Sequence, residues 1–305
     1  MRITSRAPVR IDFAGGWTDV NIFAHGAGGA VLNAAINHYV RGTLETVDTD
    51  AGDGIQPGAS QHDLSVDYHC DLPSGSGLGT SSTLNVVWLS LVKSNIVTDA
   101  ERAQIAELAY QLEAILGILG GKQDQYASAY GGFNFMTFTD SVDVERLKIP
   151  AEVVQTLEDR LVLCYTGRPR LSGNIHEHVW GAFRRGAAET VNALYTLRTC
   201  AYEMRQALPA GDIEEFGRLL NRNWAAQKLL DASVTNPQIE ELFGLAEGSG
   251  AAAGKACGAG GGGCLLFLSE PGKREALAEV LHNRGARIIP FRFEFEGLTI
   301  QREAG

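Results

Sequence analysis

The 305-residue chain contains no run of about 18 apolar residues, so it offers no segment able to cross a bilayer as a helix, and no membrane partner is expected. Its five cysteines, Cys70, Cys164, Cys200, Cys257 and Cys264, are odd in number, widely spaced and free of any CxxC pair. That pattern excludes a disulfide framework and points to reduced thiols. Basic residues are outnumbered, 26 Lys and Arg against 36 Asp and Glu for a net charge of −10. Nucleic acid is therefore not expected as the main partner, although a local basic pocket for a phosphorylated metabolite remains open. Met1-Arg2-Ile3-Thr4 leads straight into structured-looking sequence without the pattern of a signal peptide, and a cytoplasmic protein is expected. There is no internal repeat, and no low-complexity tract beyond a glycine block at 258–263.

Two further absences concern the most conspicuous segment, Pro73-Ser74-Gly75-Ser76-Gly77-Leu78-Gly79-Thr80-Ser81-Ser82. A Walker loop ends in Gly-Lys-Ser/Thr, but here Gly79 is followed by Thr80 and no lysine occurs before Lys93. A dinucleotide fold wants an acid at the end of a second strand about 20 residues further on. Asp99 stands at that distance with only Ile96 and Val97 before it, which leaves no room for the strand. What the segment does have is three alternate glycines and a hydroxyl cluster, followed by the apolar run Leu84 to Val92. Glycines let successive backbone N–H groups turn inward on an anion at the positive start of a helix, so a phosphate cradle is the functional reading and ATP the first ligand to suspect. A ligand-free glycine turn is the competing one.

Apolar content of 45%, charged content of 20% and 36 glycines describe a globular protein built on tight backbone geometry, and the length suits two domains. Strands are expected over residues 3 to 13, Ala30 to Ile36, Tyr39 to Val47, Leu64 to His69, Phe133 to Phe138 and Leu161 to Tyr165, with a surface hairpin or loop over Asp48 to His62. Thr98 and Glu101 have capping-box spacing, and Ile105, Leu108, Leu112 and Ile115 continue at helical intervals to a stop at Gly117, Gly120 and Gly121. Residues 174 to 230 read as mostly helical with a break near Pro209 to Gly211. A last unit runs from Pro237 through the glycine block into Cys264 to Leu268, a helix and a terminal strand Arg287 to Phe295. The boundary is expected near Gly167, giving domains 1–166 and 167–305.

Three segments together resemble one family. Arg6-Ala7-Pro8-Val9-Arg10-Ile11-Asp12-Phe13-Ala14-Gly15-Gly16-Trp17-Thr18-Asp19 resembles the first motif of the GHMP small-molecule kinases, Pro73 to Ser82 their second and Lys255 to Leu268 their third, in matching order and spacing. The resemblance implies a two-domain α+β fold, an N-terminal domain like ribosomal protein S5 and a C-terminal ferredoxin-like domain, with ATP held by Pro73 to Ser82. It carries magnesium ligation over to Ser81 and Glu113. Phosphoryl transfer asks mainly for positioning and charge neutralisation, and magnesium needs few protein oxygens because it keeps waters and phosphates. A helix N-cap competes for Ser81 and a solvated helix face for Glu113.

The same resemblance makes Asp124, in Gly120-Gly121-Lys122-Gln123-Asp124-Gln125-Tyr126, the base that orients the acceptor hydroxyl, against the alternative of an N-cap for a helix Gln125 to Tyr130. Arg10 matches the basic residue that the galactokinase branch sets beside the catalytic aspartate, and Asp19 the carboxylate that accepts from sugar hydroxyls. A surface salt bridge and a turn residue are their structural alternatives. The wording of the first motif, with Gly16 and Trp17, is similar to the fucokinase and heptose-phosphate kinase branch, and Tyr165 to Arg168 to the heptose kinases. A sugar or sugar phosphate is therefore the implied acceptor, phosphorylated at a hydroxyl, most naturally the anomeric one. Lys122, Arg168 and Arg170 are the cations that a phosphate already on the sugar would need. Trp17 replaces the usual third glycine of the heptose motif and draws the chain toward fucokinases.

His176-Glu177-His178 is not read as a metal pair, because i and i+2 on a helix face different ways. Rival readings are a kinase for a polyol or isoprenoid precursor, a catalytically silent sugar sensor on the same fold, and a nicotinamide dehydrogenase, which fails on the missing strand. The oligomeric state is left open, a homodimer included.

Overall fold

The computed structural model describes residues 1–48, 62–93, 98–169 and 173–303. In chain order the elements are β1 (Arg2–Ala14), α1 (Asn21–Ala27), β2 (Gly29–Asp48), β3 (His62–Cys70), α2 (Thr80–Lys93), α3 (Asp99–Ile115), α4 (Gln123–Tyr130), β4 (Phe133–Phe138), β5 (Val142–Leu147), α5 (Ala151–Arg160) and β6 (Leu161–Tyr165). There follow α6 (Gly173–Arg184), α7 (Ala188–Ala210), α8 (Ile213–Lys228), a 3₁₀ turn (Ala232–Val234), α9 (Pro237–Gly248), β7 (Ala251–Ala256), β8 (Cys264–Ser269), α10 (Arg274–Asn283), β9 (Arg287–Ile288) and β10 (Thr299–Glu303).

The strands form two antiparallel sheets. One has the order β10-β1-β2-β4-β5, with β3 also paired to β2; the other has the order β7-β8-β6-β9. Sheet membership does not cut the chain at one point: β6 belongs to the second sheet, while the last strand β10 returns to pair with β1. Helices α2, α3 and α4 cover one face of the first sheet, around Val31, Val86, Val87, Ala106 and Met136. A second core joins Val9, Ile11 and Phe13 of β1 to helices α7 and α8 through Met204, Phe216 and Leu220, and to Leu266 and Leu268 of the second sheet. Arg10 and Asp12 alternate with those three apolar residues, so the pleat sends them the other way. Arg10 there reaches the loop at Gly77.

Several expected elements take a different form. Ala30 to Ile36 and Tyr39 to Val47 are one strand, β2, whose pairing with β1 shifts register where Asn37 and His38 are skipped, so the apparent gap is a bulge rather than a turn. The terminal strand is not Arg287 to Phe295. Only Arg287–Ile288 forms a strand there, because Pro290 has no N–H to continue a ladder; Phe293 adds an isolated bridge to Ile36 of β2, and Thr299–Glu303 closes the first sheet instead. The helical stretch from 174 to 230 breaks at 185–187 as well as at Gly211, where φ of 72° ends α7 directly after Pro209-Ala210. Helices α1 and α5 and strand β5 have no counterpart among the expected elements. The capping box at Thr98 and Glu101 forms as read, with Thr98 Oγ1 accepting from the Glu101 amide and the Glu101 carboxylate accepting from the Thr98 amide. The expected loop over Asp48 to His62 lies, apart from its two ends, outside the described residues.

Candidate functional site

The chain from Pro73 to Ser82 runs from the end of β3 into the start of α2. Gly77 and Gly79 adopt φ of 81° and 78°, a region that side chains rarely occupy. A Cβ on Gly77 would stand 2.7 Å from the Cys257 carbonyl oxygen, too close to fit, and one on Gly79 would stand 3.2 Å from the Asp124 carboxyl group, which would have to give way by a few tenths of an ångström. The loop is held from beneath by the glycine block, because the Ser76 carbonyl accepts from the Cys264 amide at 2.7 Å. Leu78 buries its side chain in the core, and its carbonyl accepts from the Arg10 amide at 3.1 Å. The glycine-rich segment is thus a fixed turn opening at the N-terminus of a 14-residue helix, a place suited to an anion.

A cleft of about 290 Å³ opens at this turn. Ser74, Gly75, Gly77, Gly79, Thr80, Ser81 and Ser82 line one side of it; Arg10, Asp12, Asp19, Glu113 and Asp124 also reach its wall. Residues far apart in the chain therefore meet in one depression, at the junction of β1, α2, α3 and α4.

Arg10 is 2% exposed and commits its guanidinium to two partners. Nε and Nη2 donate to Asp124 Oδ1 at 2.9 and 2.6 Å, and Nη1 donates to the Gly77 carbonyl at 2.8 Å. Burial works against its charge, but the neighbouring carboxylates of Asp124 and Asp12 overcome that and raise its pKa. The salt bridge at Arg10 is buried rather than superficial. Asp124 is the second residue of α4 and caps nothing. Its Oδ2 remains on the side of Gly79, so one oxygen is anchored by arginine while the other faces the glycine turn.

Asp19 supplies the cap that Asp124 does not. Its Oδ2 accepts from the Gln123 amide at 3.0 Å, at the first residue of α4, and it lies so close to Gly121 that a Cβ there would overlap it at 1.8 Å. Asp19 therefore fixes the helix turn that presents Asp124. Burial drives its pKa up to about 7, helped by the charges of Asp124 and Asp12 and opposed by the Gln123 amide.

Glu113, on α3, is 6% exposed. Its Oε1 accepts from Asn85 at 2.9 Å and its Oε2 from Gln125 at 2.9 Å, with the Ser82 hydroxyl as a further partner. Burial raises its pKa despite these bonds. The alternative of a solvated face does not hold for this residue. Ser81, the second residue of α2, is exposed at the cleft. Ser81, Ser82 and Glu113 offer hard oxygens of the kind that magnesium takes, next to a turn built for phosphate.

Gly16 and Trp17 line the cleft, and a Cβ on Gly16 would meet Asp12 Oδ2 at 2.5 Å. Lys122 and Arg168 do not line it. The Lys122 ammonium bonds both Glu107 oxygens at 3.1 and 3.0 Å and sits over the Tyr110 ring, while Arg168 is exposed. Arg170 lies outside the described residues. Pro73, Ser76 and Leu78 shape the loop from behind rather than lining the cleft.

Three polar lining residues have no site role in the sequence reading: Asp12, Gln123 and His176. Asp12 forms a buried ion pair with Lys255, whose Nζ donates to Asp12 Oδ2 at 2.9 Å and to the Asp12 carbonyl at 2.7 Å. Its place inside the first motif, and that of Lys255 at the start of the third, was the available signal. His176, set aside as a metal ligand, packs on Trp17 with ring centroids 4.5 Å apart and planes tilted by 32°, and accepts at Nδ1 from Trp180 Nε1 at 3.3 Å. Among the described residues no group of three or more His, Cys, Asp and Glu side chains is arranged to hold a metal ion, and no helix is long and apolar enough to cross a membrane.

Comparison with known proteins agrees with this arrangement. The model for the GHMP kinases N terminal domain matches residues 38–132, and that for GHMP kinases C terminal matches residues 204–287. The chain is 33% identical to the D-glycero-alpha-D-manno-heptose 7-phosphate kinase of Campylobacter jejuni, over 98% of this chain and 99% of that protein. It is 27% identical to the L-fucokinase/L-fucose-1-P guanylyltransferase of Bacteroides fragilis, over 98% of this chain but 38% of that longer protein. Among solved structures, a D-glycero-D-manno-heptose 1-phosphate kinase from Bacteroides thetaiotaomicron superposes with a TM-score of 0.77 at 29% identity, covering 99% of this chain and 100% of that one.

Proposed function

The chain belongs to the GHMP kinases, and from that premise we propose that it transfers the γ-phosphoryl group of ATP to a hydroxyl, the anomeric one, of a heptose 7-phosphate or a fucose-like sugar. The observation that carries this reading is the Arg10–Asp124 pair set directly against Gly79 of the glycine turn. A carboxylate in that position lies where an alcohol must approach a phosphate seated on the loop, and proximity of the two reactants is most of what phosphoryl transfer requires.

ATP supplies the transferred group; Ser81 and Glu113 are the residues that would hold magnesium, which would supply neutralisation of the phosphate charge. Backbone amides of the turn from Gly75 to Ser82 and the N-terminus of α2 hold the phosphates. Asp124 orients the acceptor hydroxyl and takes its proton through Oδ2, while Arg10 keeps Oδ1 fixed and offsets the negative charge gathered in the cleft. Asp19 holds the first turn of α4 and with it the direction of Asp124.

The test is ADP formation with purified protein, ATP and magnesium, using L-fucose, a heptose 7-phosphate and mevalonate as acceptors. Sugar-dependent ADP release, with phosphorus NMR locating the new ester on the sugar, is the expected result. Release with mevalonate alone sinks the choice of acceptor. No release with any acceptor, despite measurable sugar binding, sinks the catalytic reading.

A further inference from the structure

The residues lining the cleft include three with polar atoms that the protein itself leaves unsatisfied. Asp12 Oδ1, Trp17 Nε1 and Gln123 Oε1 are buried and, among the described residues, have no hydrogen-bond partner. Their residues are 1%, 5% and 6% exposed, and all three line the cleft. Buried polar groups are nearly always paired, so three unpaired ones in a single wall call for an explanation. The side chains also converge: the space a Cβ would take on Gly16 lies 2.5 Å from Asp12 Oδ2 and 3.3 Å from Gln123 Nε2. Gln123 precedes Asp124 directly in the chain.

A second, independent observation marks the same wall. Trp17 has φ of 81° and is the one non-glycine residue with positive φ among the described residues. A bulky side chain in that conformation is strained, and such strain persists where surrounding contacts impose it, commonly at ligand sites. Here the indole packs against two rings of α6, His176 at 4.5 Å and Trp180 at 5.9 Å between ring centroids.

Resting on the kinase reading above, we propose that Asp12, Gln123 and Trp17 are the specificity-determining residues for the acceptor, reading neighbouring hydroxyls of the sugar with two accepting oxygens and one donor. The Asp12 carboxylate has its charge matched by Lys255 through Oδ2, which leaves Oδ1 to accept from a neutral hydroxyl. Trp17 Nε1 donates to a sugar oxygen, and Gln123 Oε1 accepts from the hydroxyl next to the one that Asp124 orients. None of the three atoms is itself exposed to solvent, so the sugar reaches them only as the side chains of this wall shift, Gln123 by a change of rotamer. A site that pairs with substrate hydroxyls discriminates strongly against analogues that lack them.

The experiment uses the full chain with ATP and magnesium, and L-fucose and heptose 7-phosphate as probes, each with its single-deoxy analogues. Gln123→Met and Trp17→Gly are the informative variants, since methionine keeps the shape of glutamine and glycine accepts a φ of 81° without strain. Each is expected to raise the acceptor KM by about 10-fold or more, while kcat and the KM for ATP stay within about 3-fold. One deoxy analogue should cost the wild type about 10-fold or more in kcat/KM and cost Gln123→Met less than about 3-fold, a compensation that a merely structural role does not produce. Asp12→Asn is a third variant; if it fails to fold for want of the Lys255 pair, the other two still decide. Acceptor KM values unchanged in both Gln123→Met and Trp17→Gly overturn the proposal and leave the kinase reading standing. So does a rise in the KM for ATP equal to the rise for the sugar. A wild type that turns over neither probe overturns both.

Discussion

Two buried ion pairs stand side by side on β1, and they differ in what the second oxygen of the carboxylate meets. In Arg10–Asp124 the arginine is 2% exposed and the aspartate 19%, and Oδ2 faces the glycine turn. In Lys255–Asp12 the side chains are 0% and 1% exposed, and the pair ties β7 of one sheet to β1 of the other. Sealing a charge pair costs desolvation that its attraction only partly repays, so the second pair is a poor source of net stability but a severe loss if broken on one side. The first keeps an oxygen on the open side, which is what a proton acceptor needs. Arginine suits the open pair because its fork holds one carboxylate oxygen with two nitrogens and still reaches Gly77, whereas lysine serves the sealed pair as a point charge.

The largest expected effect separates the two pairs by function. Asp124→Asn should lower kcat by about 10³-fold or more while ATP binding, followed by calorimetry, changes little. A variant that keeps wild-type turnover would end the assignment of the base. Lys255→Met should act on stability instead, costing about 3–5 kcal/mol because it strands the Asp12 carboxylate. Thermal unfolding measures this, and the double variant with Asp12→Asn should recover part of the loss; a single variant as stable as the wild type removes the contrast between the pairs.

The third test uses pH. Asp19 is a carboxyl group whose pKa is raised in the folded chain to about 7, so folding favours its protonated form. The stability this group contributes is fully present below the ordinary carboxylate pKa and is lost as pH rises toward 7, because the unfolded chain ionises first. Asp19→Asn abolishes that loss and can still accept from the Gln123 amide. Its stability relative to wild type should climb between about pH 4 and pH 7, by on the order of 4 kcal/mol as followed by thermal unfolding, and level off above. A difference independent of pH counts against the shift. The smallest effect belongs to Gly79→Ala, which places a side chain at a φ of 78° and 3.2 Å from the Asp124 carboxyl group. It should cost about 1–2 kcal/mol of stability from the backbone alone. The KM for ATP should rise with it, and an alanine that leaves both untouched argues against a tight contact between turn and base.

Local signals in the sequence are legible where the structure is itself local. The Thr98–Glu101 capping box rests on contacts within a few residues, and the glycine turn ahead of α2 and the glycine block ahead of β8 are marked by their own composition, although the two hold each other across the chain. The break at Gly211 is visible for the same reason. The single strand β2 reads as two, because a bulge at Asn37–His38 interrupts the alternation without interrupting the strand. The return of residues 299–303 to β1 leaves no periodic trace, since its meaning lies in a partner at the other end of the chain. Asp19 could be placed near the site by its motif, but nothing in the chain told that its carboxylate caps the helix bearing Asp124.

The amino-acid order by itself determined where the backbone can turn inward on an anion and which acids and hydroxyls accompany it, because glycine conformation and helix-start chemistry depend on near neighbours. Only the folded arrangement decided which carboxylate is sealed and which is open. Lys255 meets Asp12 across 243 positions and Arg10 meets Asp124 across 114, and burial, which separates a structural charge from a reactive one, is a property of everything packed around them.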